Sequence, residues 1–239
     1  MSKDQYDERR ADQLRNELLA DPETFYRKGA AYELAKEFFR GCPPDRLASL
    51  LQHPNDRIAE QAFWIASEQG VRGAIFLDDA IAALRRGSNR IRYWALEIIM
   101  FGAVNEREKE FVHIVKSLED LDRAVRMRAL ELLANASEKQ LTAALRHLRL
   151  QEPTSAHVAW LERLLRPASP ASYEPDQIET MLQSESGVER KYGVALAHRV
   201  FETHPHLLKL AATLPDEECR SVAEHMLELH DIDSRRRQS

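Results

Sequence analysis

Leu118-Glu119-Asp120-Leu121-Asp122-Arg123-Ala124-Val125-Arg126-Met127-Arg128-Ala129-Leu130-Glu131-Leu132-Leu133 is the stretch that decides the fold. A leucine closes one helix, a turn carries two aspartates, and Val125-Arg126 opens a second helix whose apolar side runs through Ala129 and Leu132. The stretch is half of a two-helix unit, and the half recurs. Leu84 to Ile98 repeats it with Ile91-Arg92, Ala95 and Ile98, and Leu51 to Ile65 repeats it with Ile58, Ala62 and Ile65.

Working outward, the leucines that close first helices are Leu19, Leu51, Leu84, Leu118, Leu150, Leu182 and Leu214, at intervals of 32, 33, 34, 32, 32 and 32. So regular a period predicts stacked repeats. Asn105 with Glu108, Ser137 with Gln140, and Ser186 with Glu189 have the spacing of capping boxes where the period asks for helix starts. Composition agrees. Only 8 glycines in 239 residues is poor material for the tight turns of a sheet, while 44% hydrophobic residues can fill a sizeable core. The expectation is an all-α chain.

Three segments are expected: a charged, helical N-terminal segment over 1–18, a repeat array over 19–230, and a mobile basic tail over 231–239 containing Arg235, Arg236 and Arg237. The Pro- and Ser-rich loop at 166–172 allows a bend in the array. A balance of 34 basic against 39 acidic residues, net −5, does not suit wrapping of nucleic acid and favours a basic partner. Cys42 and Cys219 stand in no metal-ligand spacing, which fits a reducing compartment. Residues 1–15 lack the apolar centre of a secretory signal, and the longest apolar run, Ile98 to Val104, is too short to span a bilayer. A cytoplasmic location without membrane contact is expected.

The spacing Leu118-x-Asp120-x-Asp122-x-x-Val125-Arg126-x-x-Ala129 resembles the HEAT repeat, in particular the short bacterial HEAT-like form also seen in phycobilisome-lyase-type proteins. The 84–98 unit keeps Ile91-Arg92-x-x-Ala95 but has Arg86 and Ser88 in place of the aspartates. The 51–65 unit keeps Asp56 and has Ala59 where the arginine is expected. The remaining units keep little beyond the period. The resemblance implies a right-handed α-solenoid of about seven HEAT-like helix pairs, with second helices lining a concave face. It also implies that Arg92 and Arg126 bond aspartates of a neighbouring turn, with Asp120 and Asp122 the obvious partners.

On a helical wheel Ile91, Ala95, Ile98 and Ile99 share one side, matched by Val125, Ala129, Leu132 and Leu133; these are core. Roughly opposite lie Glu60 with Trp64, Tyr93 with Glu97 and Met100, and Met127 with Glu131. Three adjacent repeats thus place a carboxylate beside an aromatic or Met side chain where the concave surface should be. The bland reading packs Trp64, Tyr93 and Met127 between helices and leaves the glutamates in solvent. The sharper one is a binding strip, with apolar anchors and with carboxylates that select Lys or Arg. Trp94 and Trp160 share an edge-of-core position and read as structural. Arg57, Arg90, Arg92, Arg123, Arg126 and Arg128 cluster at three helix starts, either as a structural ladder or as a phosphate site.

No phosphate loop, nucleophile elbow or His-Glu-x-x-His stretch is present. Glu110 with His113 and His198 with Glu202 each supply one metal-like pair, too few for a bundle site, so neither metal nor cofactor is expected. The sequence therefore points to a non-catalytic protein-binding module acting through a concave face toward a basic partner. A toxin-neutralising immunity protein and an adaptor both fit. The alternative is a HEAT-like DNA glycosylase for alkylated purines, suggested by the Tyr93–Glu97 and Glu60–Trp64 pairs and opposed by the acidic net charge.

Overall fold

The structure, a computed structural model, describes residues 6–165 and 174–238, and every regular element among them is helical. The chain divides into two compact units, 1–104 and 105–239. No helix of the described residues is long and apolar enough to cross a membrane.

The first unit holds α1 (Glu8–Ala20), α2 (Pro22–Arg27), α3 (Ala30–Phe39), a 3-10 turn at Pro44–Leu47 leading into α4 (Ala48–Leu51), α5 (Asp56–Glu68), a 3-10 turn at Gly70–Phe76 leading into α6 (Leu77–Arg86), and α7 (Asn89–Gly102). Polar side chains start these helices by taking orphan amides: Asp7 accepts from Arg10 N, Asp21 from Thr24 N, Asn55 from Arg57 N and Ser88 from Ile91 N. The helical stretch from Pro22 to Phe39 is broken in two. Gly29 adopts a left-handed φ of 67° between α2 and α3, a conformation that costs glycine nothing. α3 packs on α5 and α5 on α7, in the order of the chain, and Leu34, Ile58, Ala62, Ile65, Ala95, Ile98 and Ile99 are buried between them and the first helices.

The second unit runs from a 3-10 turn at Glu108–Phe111 through α8 (Val112–Lys116), a 3-10 turn at Ser117–Glu119, α9 (Arg123–Ala134), α10 (Glu138–Gln151), α11 (Ala156–Leu165), α12 (Pro175–Leu182), α13 (Gly187–Arg199) and α14 (Pro205–Ala211) to α15 (Glu217–Gln238). In a linear stack a second helix meets only the ones before and after it. Here α9 packs against both α13 and α15, and these two pack on each other.

Several details differ from the sequence expectations. Ser137 and Gln140 form a full capping box, whereas Ser186 caps Glu189 N while the Glu189 carboxylate turns to Ser184 Oγ at 2.6 Å. Asn105 starts no helix; it and Glu106 take left-handed φ values of 49° and 77°. Leu150 is 74% exposed and Leu148 is the buried residue of that turn. The loop at 166–172 lies outside the described residues. Residues 231–238, expected as a separate tail, continue α15, since no glycine or proline after Pro215 stops it.

Near the C-terminal end of α9, one ring joins three helices. His198 Nε2 lies 3.3 Å from Asn135 Oδ1, His198 Nδ1 lies 3.3 Å from His230 Nε2, and the His230 ring stacks on Phe201 at 3.8 Å. Burial, then the neighbouring His230 and Arg199, push the His198 ring down from 6.5 to about 4. The unfolded chain therefore binds a proton between those pH values that the folded chain refuses, so stability falls as pH drops through the window. Denaturant titration should show a loss of up to about 2 kcal/mol between pH 7 and pH 5. The His198→Gln variant should show a shallower loss; an unchanged slope would remove His198 as its source.

Candidate functional site

The strip expected from the wheel is distributed over both units, Glu60, Trp64, Tyr93 and Glu97 in the first and Met127 and Glu131 in the second.

In the first unit Glu60 is only 7% exposed. Its carboxylate accepts from Arg57 Nη1 at 3.1 Å and from Ser88 Oγ at 3.1 Å, and Arg90 Nη1 lies 3.8 Å away. Since Ser88 also caps α7, Glu60 ties the first turn of α5 to the first turn of α7. A wheel drawn for one helix misses this, because the turn before α7 covers that end of α5. Arg57 carries the connection further, donating to Glu23 Oε1 at 2.9 Å, and its guanidinium is held above its ordinary range first by Glu23 and then by Glu60.

Trp64, one turn further along α5, is half-buried, and its ring lies nearly parallel to that of Tyr32, with an interplanar angle of 26° and centroids 6.5 Å apart. Tyr32 occupies on α3 the place Trp64 has on α5, and it is 59% exposed. Lys36 Nζ sits 4.9 Å from the Tyr32 centroid and 2.8 Å from Glu33 Oε1. That ammonium, through its hydrogen bond, is the first cause of the lowered Glu33 pKa. Glu68 is exposed one turn beyond Trp64 on the same side of α5. On α7, Tyr93 meets Trp94 edge-on at 4.7 Å, Glu97 and Met100 are half-buried, and Phe101 is 39% exposed. The first unit therefore gathers aromatic surface on its second helices, and Tyr32 and Lys36 belong to it although the sequence reading passed over them. The signal was present: Tyr32 precedes Trp64 by 32 residues, the interval that separates most of the leucines.

In the second unit Met127 and Glu131 are half-buried, and the Glu131 carboxylate is paired with Arg128 at 2.5 Å.

The six arginines are all engaged with oxygen. Besides Arg57, Arg90 and Arg128, Arg123 pairs with Glu217 at 3.0 Å, and Arg92 Nη1 donates to Gly87 O at 2.8 Å. Arg126 Nη1 donates to the carbonyls of Asp120 and Leu121 at 2.7 and 2.9 Å, while its Nε reaches both oxygens of Glu218 at 3.0 Å and its Nη2 one of them. The resemblance pointed to the aspartate carboxylates as partners. Arg126 is held by the turn's carbonyls and by Glu218, whose bond is the first cause raising its pKa; the Asp120 and Asp122 charges add to that field, and the Asp122 side chain also accepts from Ala124 N and Val125 N as the cap of α9.

The same clamp recurs where the sequence showed little beyond the period. Arg190 Nη1 donates to Ser184 O and Glu185 O, with Nε and Nη2 on Asp216, and Arg220 Nη1 donates to Leu214 O. Lys191 Nζ adds a bond of 2.6 Å to Leu118 O and lies 3.4 Å from Glu218 Oε2. The bond from Arg126 is the first cause holding the Glu218 carboxyl below its usual range.

His157 is buried, with Nδ1 3.2 Å from Tyr192 Oη and Nε2 3.3 Å from Glu119 Oε2. The triad has the order of a proton relay, but Tyr192 is fully buried, so it joins α11, α13 and the 117–119 turn rather than facing a substrate. Burial, the largest cause, drives the Cys219 thiol up to about 12, far from a reactive thiolate. Glu110 and His113 lie 3.5 Å apart, and no group of three or more His, Cys, Asp or Glu among the described residues could hold a metal.

No family model matches the chain, and no curated protein matches it. Among solved structures, the crystal structure of an engineered protein aligns over 77% of this chain and 95% of its own, with 16% sequence identity and a TM-score of 0.39. A likeness of that size carries no functional information.

The Glu60 geometry separates scaffold from surface experimentally. Glu60→Ala leaves Ser88 and one end of Arg57 without their acceptor and should lower the unfolding free energy by about 1 to 3 kcal/mol. A change under about 0.5 kcal/mol in urea titration would show that the carboxylate is not a structural tie.

Proposed function

We propose that the chain is a non-catalytic protein-binding module built from HEAT-like helix pairs, and that its docking face lies on the second helices of the first unit. The observation that carries this is the near-parallel Tyr32–Trp64 pair with its largely exposed tyrosine. Single exposed apolar residues are ordinary on a soluble surface. A pair of large rings held on adjacent helices is different, because rigid aromatic area binds at small entropic cost and is what interface centres favour. The in-order packing of α3, α5 and α7 supports the solenoid reading for this unit.

The glutamates of the wheel take different parts in this reading. Glu60 and Glu131 are scaffold, each held by an arginine of its own helix. Selection of a basic partner falls to Glu33, Glu68 and Glu97, around the rings. Neutralisation of a basic toxin, as by an immunity protein, and assembly of a basic client, as by an adaptor, are both uses of such a face.

Immobilised wild-type protein should retain a partner from a lysate of the native host, identified by mass spectrometry. Tyr32→Ala combined with Trp64→Leu should reduce that retention by about 10-fold or more, the cost of losing one interface hot spot, with unfolding still cooperative. Undiminished retention by the folded variant would end the proposal.

A further inference from the structure

We infer that the Tyr32–Trp64 pair is a receptor for an arginine side chain of the partner, an assignment that rests on the docking face proposed above. The first reason is that the chain already places a cation there. Lys36 Nζ lies 4.9 Å from the Tyr32 centroid, so the field of the ring and the nearby carboxylate favours positive charge at this spot. The Lys36–Glu33 pair has side chains 41% and 51% exposed, and ion pairs this wet are weak and easily displaced.

The second reason is shape. The Tyr32 ring, stacked near-parallel on Trp64 yet largely exposed, offers flat π surface to a planar group, and a guanidinium is planar where an ammonium is not. The same pairing exists within this chain, where the Arg163 guanidinium lies 4.6 Å over the Trp160 ring. The third reason is hydrogen bonding. A stacked guanidinium directs its N–H groups outward in its own plane, toward acceptors at the edges of the rings. Glu33 Oε1 holds the same ammonium that lies over the Tyr32 ring, and exposed Glu68 lies one turn from Trp64.

Lys36 is then an internal competitor, and its removal should strengthen binding, the opposite of what a lysine contributing to the interface would do. The full chain would be titrated with the capped peptide acetyl-(Gly-Arg)3-amide and with its Lys and Ala counterparts, following tryptophan indole N–H resonances by NMR. The Trp64 signal would be assigned through Trp64→Phe. The Arg peptide should move the Trp64 resonance and bind about 2- to 5-fold more tightly than the Lys peptide. Tyr32→Ala should abolish that preference, and Lys36→Met should tighten Arg binding about 2-fold. Equal binding of Arg and Lys peptides, no response to the Arg peptide, or weaker Arg binding in Lys36→Met would each overturn the assignment. If Tyr32→Ala abolishes partner retention while the Arg peptide leaves Trp64 unmoved, the docking face stands and the arginine receptor falls.

Discussion

A guanidinium partly withdrawn from water needs oxygens around its whole rim, and the second unit is built on meeting that need. Arg126 meets it from two directions, with its own turn's carbonyls at one edge and the Glu218 carboxylate at the other. Glu218 belongs to α15, more than ninety residues along the chain, so one side chain both shapes the turn before α9 and fixes where α15 lies. Lys191 brings α13 to the same carboxylate and to Leu118 O, and Arg190 repeats the arrangement with Asp216. Such clusters gain little over well-packed apolar residues. Removing one member is costly, because the others are left in a poor dielectric without compensation. The mutual packing of α9, α13 and α15 follows from satisfying these charges as well as from burying Val125, Leu133, Val194 and Val222.

Glu60 plays the reciprocal part in the first unit, an anion enclosed by the starts of α5 and α7. Charge placed at helix starts thus organises both units and leaves the exposed sides of the second helices unconstrained by the fold. Tyr32 is the clearest case. Packing does not account for a ring so exposed at that position, and this is why the functional proposal rests on it rather than on the carboxylates beside it.

The fold class was readable because the apolar positions of the second helices recur with the helical period, and Ile91, Ala95, Val125, Ala129 and Leu133 are all buried. Chain order within the second unit was not readable. Its ties are long-range ion pairs, and a repeat period describes only what each helix pair does locally. The leucine markers also concealed a change of register. Arg126 and Arg190 clamp the carbonyl six residues before them, as Arg220 does, yet Arg190 and Arg220 are only 30 residues apart, so spacing by leucines aligned Val222 where the clamp required Arg220. At the candidate site the wheel singled out Trp64, which is half-buried against Tyr32. It misjudged Glu60 because exposure on one helix depends on which turn of the next lies across it, and it passed over Tyr32 because the break at Gly29 interrupts the helical pattern there.

If Arg126, Lys191 and Glu218 bind α9, α13 and α15 into one cooperative body, those helices open together. Native-state hydrogen exchange on the full chain, wild type against Glu218→Gln, reads this directly. Buried amides of α9, α13 and α15 should share one opening free energy and lose protection by a common amount in the variant. Loss of protection confined to α15, with α9 and α13 exchanging as in the wild type, would contradict it.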